Sequence, residues 1–264
     1  AMTEPGTGSD LQGVRTSAVL QSDGGGDHYV LNGAKTFITN GGNANLIIVV
    51  CKTGAVREGE GGAKNISLLM VETDKAPGFR RGRLLDKVGM KAQDTSELFF
   101  DDVRVPADHL IGGQPGQGFY QLMGELPQER LIIAVGAING IEKALETTMD
   151  YVKSRKAFGQ TIWDFQNTQF VMADLKARST AARIFVNDCI ARHLKGELDV
   201  ATACMAKYWV TELQGEVVDK CLQFHGGAGF INDYPIARMY RDSRITRIFG
   251  GSNEVMKMVI ARSM

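Results

Sequence analysis

Two glycine-rich segments and one acid–base pair are the places where residue type and spacing in this chain could do chemistry. Met2-Thr-Glu-Pro-Gly-Thr-Gly-Ser-Asp10 combines small residues with hydroxyls, so its backbone N–H groups could closely approach a phosphate or a flat heterocycle. As bare sequence it serves equally well as a turn. It is not a dinucleotide fingerprint, because Leu11 stands where the third glycine after Gly6-Thr7-Gly8 belongs and no strand precedes it. Gln223-Phe-His-Gly-Gly-Ala-Gly-Phe-Ile-Asn-Asp233 reads as a helix that stops at Gly226-Gly227, which either brings backbone near a ligand or simply caps the helix. Glu129-Arg130 pairs an acid with a base near a helix start, and in most proteins such a pair is a solvated surface contact worth little. By the same reasoning Phe158 reads as core and His225 as a satisfied helix-end residue.

Composition narrows the classes. Thirty basic residues against thirty acidic ones give a formal net charge of +0, so no global field favours nucleic acid or an anionic membrane, and any anionic ligand needs a local site. Cys51, Cys189, Cys204 and Cys221 include no C-x-x-C pair, and the four histidines show no ligand spacing, which predicts a reducing compartment without disulfides or metal. No apolar run approaches the roughly 18 residues of a membrane span, and no signal-peptide core is read at the start. A dense motif at the first residues leads us to expect further chain upstream.

Elements of two kinds must position these residues. From about Val19 to Val105 short apolar and alternating runs, Tyr29-Val-Leu31, Thr36-Phe-Ile-Thr39, Leu46-Ile-Ile-Val-Val50, Ile66-Ser-Leu-Leu-Met-Val71 and Glu97-Leu-Phe-Phe100, alternate with turn formers and predict a β domain. Asn32-Gly33 predicts a tight hairpin turn. From Gly118 the period lengthens: Met205, Trp209, Leu213, Val217 and Cys221 recur every four residues, with Asp199 placed as a cap. Helices are predicted over about Phe119 to Val152, Asn167 to Leu194 and Val200 to Phe224, with shorter ones near Ala237 to Ser243 and Asn253 to Arg262, packed as an antiparallel bundle. The breaker-rich Ile111–Gly118 segment separates a domain at 1–112 from one at 118–264.

The whole chain resembles the acyl-CoA dehydrogenase family. Thr3-Glu-Pro-Gly6 with Ser9-Asp10, Lys35-Thr-Phe-Ile-Thr-Asn-Gly41, Glu97 to Phe100, Val103-Arg-Val-Pro106, Arg155-Lys-Ala-Phe-Gly-Gln160, Gln223 to Gly227 and Gly250-Gly-Ser-Asn-Glu254 carry the likeness. Thr7 departs slightly, since the family has alanine, glycine or serine there. The larger departure is that the family's N-terminal helical domain is absent. The resemblance therefore implies an α+β chain: a middle β-barrel domain that binds flavin, followed by a C-terminal four-helix bundle.

The family binds FAD noncovalently, and the resemblance carries this over residue by residue. Met2, Thr3, Gly8 and Ser9 with Phe37, Ile38 and Thr39 match the cradle of the isoalloxazine ring, Thr39 matching a hydroxyl that addresses flavin N5. Arg155, Phe158, Gln166, Gln223, Phe224, Gly226 and Gly227 match residues that meet the FAD of a neighbouring subunit, which implies a homotetramer or homodimer. Ser252, Asn253 and Glu254 match contacts within the subunit's own site. Ser9, Tyr120, Gln128, Arg130 and Gly251 match positions near the acyl-CoA, and the N–H of Gly250 matches a donor to the thioester carbonyl.

Removing a weakly acidic α-proton and a β-hydride from an acyl thioester requires a base and a hydride acceptor, and no side chain accepts hydride, so a flavin must. In the family the carboxylate comes from one of two backbone positions; here Gly250 leaves one vacant and Glu129 fills the other. Burial between acyl chain and flavin is expected to raise its pKa. Reduced flavin would then pass electrons to an electron-transfer flavoprotein, in the mitochondrial matrix or the bacterial cytoplasm. Gln128-Glu129-Arg130 with a non-acid at 250 resembles the long-chain and isovaleryl branches, and Glu125 to Arg130 with Ala201 to Trp209 resembles the long-chain branch more. Two alternatives stay open: an acyl-CoA oxidase, which peroxide formation would reveal, and a flavoprotein fragment without catalysis.

Overall fold

The computed structural model describes residues 1–54 and 62–264. These residues divide into two compact units, Ala1–Lys87 with Lys91–Gly124, and Val88–Met90 with Glu125–Met264.

The first unit is built on six strands, β1 (Ser17–Asp23), β2 (Gly26–Thr39), β3 (Leu46–Lys52), β4 (Ile66–Glu72), β5 (Phe79–Leu84) and β6 (Thr95–Pro106), ordered β4-β3-β1-β2-β6-β5 in one sheet. Neighbours run antiparallel except β1 and β3, which meet only at Ser17 opposite Lys52. Ala18, Leu31, Val49, Leu69, Leu98 and Val103, from five different strands, enter one apolar cluster. The sheet thus curls around its own core, as a barrel does, although no β4–β5 pairing closes it among the described residues.

Asn32-Gly33 is not the hairpin turn. β2 runs straight through it, and its register against β6 shifts between Leu31 and Gly33, a bulge. Bulge and turn exploit the same freedom of glycine. Gly33 has φ +150°, and a Cβ there would lie 2.8 Å from Thr16 Cα. The turn between β1 and β2 falls instead at Asp23–Gly26, where Asp23 Oδ1 accepts from the Gly25 N–H at 2.8 Å. Strand β5 lacks any apolar alternation. Its Arg80, Arg81 and Arg83 suit an edge, and Phe79 anchors it on Phe100 with ring centroids 5.4 Å apart.

The long helix α1 (Gly118–Ser154) leads to a two-residue hairpin, β7 (Lys156–Ala157) and β8 (Gln160–Thr161), then to α2 (Gln166–Leu194), α3 (Val200–Phe224), α4 (Pro235–Ser243) and α5 (Asn253–Arg262). Ala134, Ile138, Ile141 and Leu145 of α1 form one helix face, which packs with Leu175, Ala182, Val186 and Cys189 of α2, Val210, Leu213, Val217 and Cys221 of α3 and Ile236 of α4. Asp199 caps α3 as expected, accepting from the Thr202 N–H at 2.8 Å. Of the expected α3 face, Leu213, Val217 and Cys221 are core, whereas Met205 and Trp209 lie more than a third exposed. No described helix is long and apolar enough to cross a membrane.

Candidate active site

In the β unit the first glycine-rich segment folds back on itself, with reciprocal backbone bonds between Glu4 and Thr7 at 2.9 and 3.0 Å. The Glu4 carboxylate turns inward. It accepts from the backbone N–H groups of Arg15 (2.6 Å) and Thr16 (2.9 Å) and from Lys35 Nζ (2.8 Å). Lys35 also donates to the Met2 carbonyl at 2.9 Å, and both side chains of the pair are buried. Burial pushes the Glu4 carboxyl upward, but the hydrogen bonds from Lys35, Thr16 and Arg15 outweigh it and hold the group below the usual carboxylate range. Burial also lowers the Lys35 ammonium against the pull of Glu4. The Thr36 N–H donates to the Thr3 carbonyl at 2.9 Å, so Met2 and Thr3 are held beside the strand that ends in Phe37, Ile38 and Thr39.

The structure therefore brings these two expected cradle segments together. Gly8, Ser9, Phe37 and Thr39 are exposed, with Met2, Thr3 and Ile38 half-buried. Phe37 and Asn40 adopt left-handed conformations, φ +58° and +61°, which side chains rarely take without compensation elsewhere. Nothing lies within 4 Å of a Cβ built on Gly6 or Gly8, so the segment offers an open ledge of backbone. Tyr120, in the first turns of α1, is exposed within the same unit.

In the helical unit, Gln128 and Glu129 stand exposed on α1, while Arg130 is buried. The surface ion-pair reading of Arg130 fails: its Nη1 donates to Cys204 Sγ at 3.3 Å on α3, and its buried Nε has no partner among the described residues. The Glu129 side chain is exposed rather than enclosed by the chain's own groups, so the expected burial is not found here.

Gly250 and Gly251 form a left-handed turn, φ +65° and +89°, leading into α5. A Cβ on Gly250 would overlap Ile133 Cδ1, and one on Gly251 would come within 2.6 Å of Met256 Cε. Ser252 caps α5 by accepting from the Val255 N–H at 3.4 Å, and Glu254 points to solvent. Beneath the turn lies Lys207 of α3, fully buried, donating to the Gly251 carbonyl and to Asn253 Oδ1, each at 2.8 Å. Asn253 Nδ2 in turn donates to Thr211 Oγ1 at 3.0 Å and Glu212 Oε1 at 2.7 Å. Burial, with like charge from Arg130 adding to it, lowers the Lys207 ammonium to about 8.

The remaining expected residues lie on exposed segments of this unit. Arg155 follows α1, Phe158 tips the β7–β8 hairpin and Gln166 opens α2, all exposed. Phe158 is not core: it is 96% exposed, with φ +53°. Gln223, Phe224, Gly226 and Gly227 surround the end of α3, where His225 is buried, stacks on Tyr151 at 4.2 Å and donates from Nδ1 to the Cys221 carbonyl at 2.9 Å. That satisfies His225 as a helix-end residue.

Both halves match models of one family. Residues 1–103 match the acyl-CoA dehydrogenase middle domain and residues 116–264 the acyl-CoA dehydrogenase C-terminal domain. The chain belongs to the acyl-CoA dehydrogenase family. It is 52% identical over its whole length to the mitochondrial long-chain specific acyl-CoA dehydrogenase of Mus musculus, spanning 60% of that relative. It is 39% identical over its whole length to the mitochondrial isobutyryl-CoA dehydrogenase of Dictyostelium discoideum, spanning 61% of that one. The crystal structure of an acyl-CoA dehydrogenase from Geobacillus kaustophilus superposes with a TM-score of 0.94 at 48% identity, covering all of this chain and 67% of that one. These relatives of the acyl-CoA dehydrogenase family are enzymes, mitochondrial and bacterial alike.

Sequence reasoning assigned no role to Glu4, Lys35, Lys207 or Ile133. A signal existed for one of them. Lys207 follows Ala203 and precedes Val210 and Gln214 on the inward face of α3, where a lysine is out of pattern.

Proposed function

We propose that the protein containing this chain desaturates acyl-CoA thioesters between Cα and Cβ with FAD, Glu129 acting as base. The observation that carries the reading is the turn at Gly250: it lies against Ile133, one helical turn beyond Glu129, with no side chain of its own in the way. A carboxylate and a backbone N–H donor are thus offered from neighbouring elements of one unit. The pinned ledge of Met2, Thr3, Gly8 and Ser9 beside Phe37, Ile38 and Thr39 fits a flat heterocycle, because open backbone and an exposed strand end let a ring approach closely. Bound there, FAD would supply the hydride acceptor at N5 that no side chain provides.

The chain's own residues do the rest. The N–H of Gly250 would polarise the thioester carbonyl and stabilise the enolate-like charge. Glu129 Oε would take the α-proton, its carboxylate enclosed on substrate binding. Arg130, Gln128, Ser9, Tyr120 and Gly251 would hold the acyl-CoA. Ser252, Asn253 and Glu254 would contact the cofactor within the subunit, and Arg155, Phe158, Gln166, Gln223, Phe224, Gly226 and Gly227 that of a neighbour in a homodimer or homotetramer. An electron-transfer flavoprotein would be the oxidant. The greater identity to a long-chain relative than to the isobutyryl one favours long-chain substrates.

Flavin absorbance of natively purified full-length protein, and its bleaching by saturated acyl-CoAs of several lengths under anaerobic conditions, test the reading. Absence of flavin, or flavin that no acyl-CoA reduces, overturns it.

A further inference from the structure

Lys207 is out of place by ordinary rules. An ammonium removed from water costs stability unless its environment repays the loss, and among the described residues no carboxylate lies within hydrogen-bonding distance of this one. The charged groups facing it are Arg130 of α1, of like sign, Glu212 of α3 and Glu254 of α5, with the Cys204 thiol beside them on α3. What it does hold is the outgoing end of the glycine turn: the Gly251 carbonyl and Asn253 Oδ1, on either side of Ser252. The incoming end is held differently, by the Ile248 and Phe249 N–H groups bonding the Ile245 carbonyl at 2.8 and 3.1 Å. Between the two anchors stand Gly250 and Gly251, whose lack of side chains leaves the backbone freer than at any other residue type.

We infer that Lys207 is a positioning residue: by pinning the Gly251 carbonyl and Asn253 it fixes the direction in which the Gly250 N–H points. The inference rests on the proposed role of Gly250. A duller role for the same lysine would be to secure the start of α5, which affects stability alone. The two differ in one observable. A positioning lysine sets how strongly a bound thioester carbonyl is polarised; a purely structural one does not.

The test uses full-length, FAD-loaded enzyme and a chromophoric α,β-unsaturated aryl thioester of CoA, whose absorption maximum moves to the red when its carbonyl is polarised. In Lys207→Met the red shift on binding is expected to fall by about half or more, with kcat down roughly tenfold or more and KM changed much less, as loss of alignment at an oxyanion donor should give. Lys207→Gln, which keeps a donor on a shorter stem, should lie between the two and carries the test if the methionine variant does not fold. A wild-type red shift in either folded variant, whatever its thermal stability, overturns the inference. A wild-type enzyme that shows no red shift and no desaturation overturns instead the function on which it rests.

Discussion

Gly250 lies directly against Ile133 of α1, so that a Cβ at position 250 would overlap the Ile133 Cδ1 methyl, and Ile133 sits one turn beyond Glu129 on the same helix face. The two candidate positions for a catalytic carboxylate are thereby neighbours. A carboxylate transplanted to 250 must displace that methyl and accept φ +65°, a left-handed conformation costing about 1–2 kcal/mol for a residue with a Cβ. We predict that Gly250→Glu on a Glu129→Gln background restores part of the turnover only when Ile133 is also cut to alanine, with an altered chain-length preference. Turnover with an artificial electron acceptor, across acyl-CoAs of several lengths, checks this; rescue by Gly250→Glu alone, equal with and without the alanine, would contradict it.

Glu129→Gln by itself preserves shape and removes the proposed base. Turnover in full-length enzyme should fall by about 10²–10⁴-fold, while the affinity for acyl-CoA, measured by perturbation of the flavin spectrum, stays within a fewfold. Near-normal turnover would move the role to Glu254 or Glu125, both exposed in the same unit.

Lys207 makes a prediction about pH. Burial lowers its ammonium from the ordinary 10.5 to about 8. Below pH 8 the group is charged in both the folded and the unfolded chain. Between about 8 and 10.5 the unfolded chain keeps a proton that the folded one has released, so this group's contribution to stability rises with pH in that window. Urea unfolding midpoints of wild type and Lys207→Met should therefore diverge in favour of wild type from pH 7.5 to pH 9.5. Parallel midpoints would mean that Lys207 titrates alike in both states.

Some of this was legible in the sequence, and the reasons differ element by element. The helices follow from a period of four, because Leu213, Val217 and Cys221 must face one core, and Asp199 declares the start of α3 by its type. Asn32-Gly33 misleads because the left-handed freedom that makes a turn also makes a bulge, and only the close approach of Thr16 decides. Strand β5 is silent because an arginine-rich edge has no apolar face to alternate. The Glu4–Lys35 pair is invisible to composition, because a charge is read as surface until tertiary contacts bury it, whereas Lys207 shows itself only by its place on the apolar face of α3.

The Glu4–Lys35 pair holds Met2 to Thr7 against β2, so breaking it should loosen the ledge as well as the fold. Lys35→Met leaves the Glu4 carboxylate buried and short of its ion partner, which typically costs about 3–5 kcal/mol. Glu4→Gln leaves the Lys35 ammonium buried without its ion partner and turns an amide NH2 toward a backbone N–H, so it should cost a similar amount. Both should weaken FAD retention, read from the flavin-to-protein absorbance ratio after gel filtration; full retention in a destabilised Lys35→Met would separate the ledge from the cofactor.

Phe158 supplies the converse case, a residue whose loss should spare the fold. Its ring is 96% exposed at the tip of the β7–β8 hairpin and meets Phe165 edge-on with centroids 6.3 Å apart, so its removal leaves no cavity in the core. A bulky residue held at φ +53° with its ring open to solvent is uncommon enough to ask what covers it. On the proposed reading the cover is the FAD of a neighbouring subunit. Phe158→Ser should therefore leave the unfolding midpoint of the flavin-free protein within error, while FAD retention falls about tenfold, as loss of one buried aromatic contact at a binding site would produce. Unchanged retention in an intact oligomer would remove Phe158 from the cofactor site.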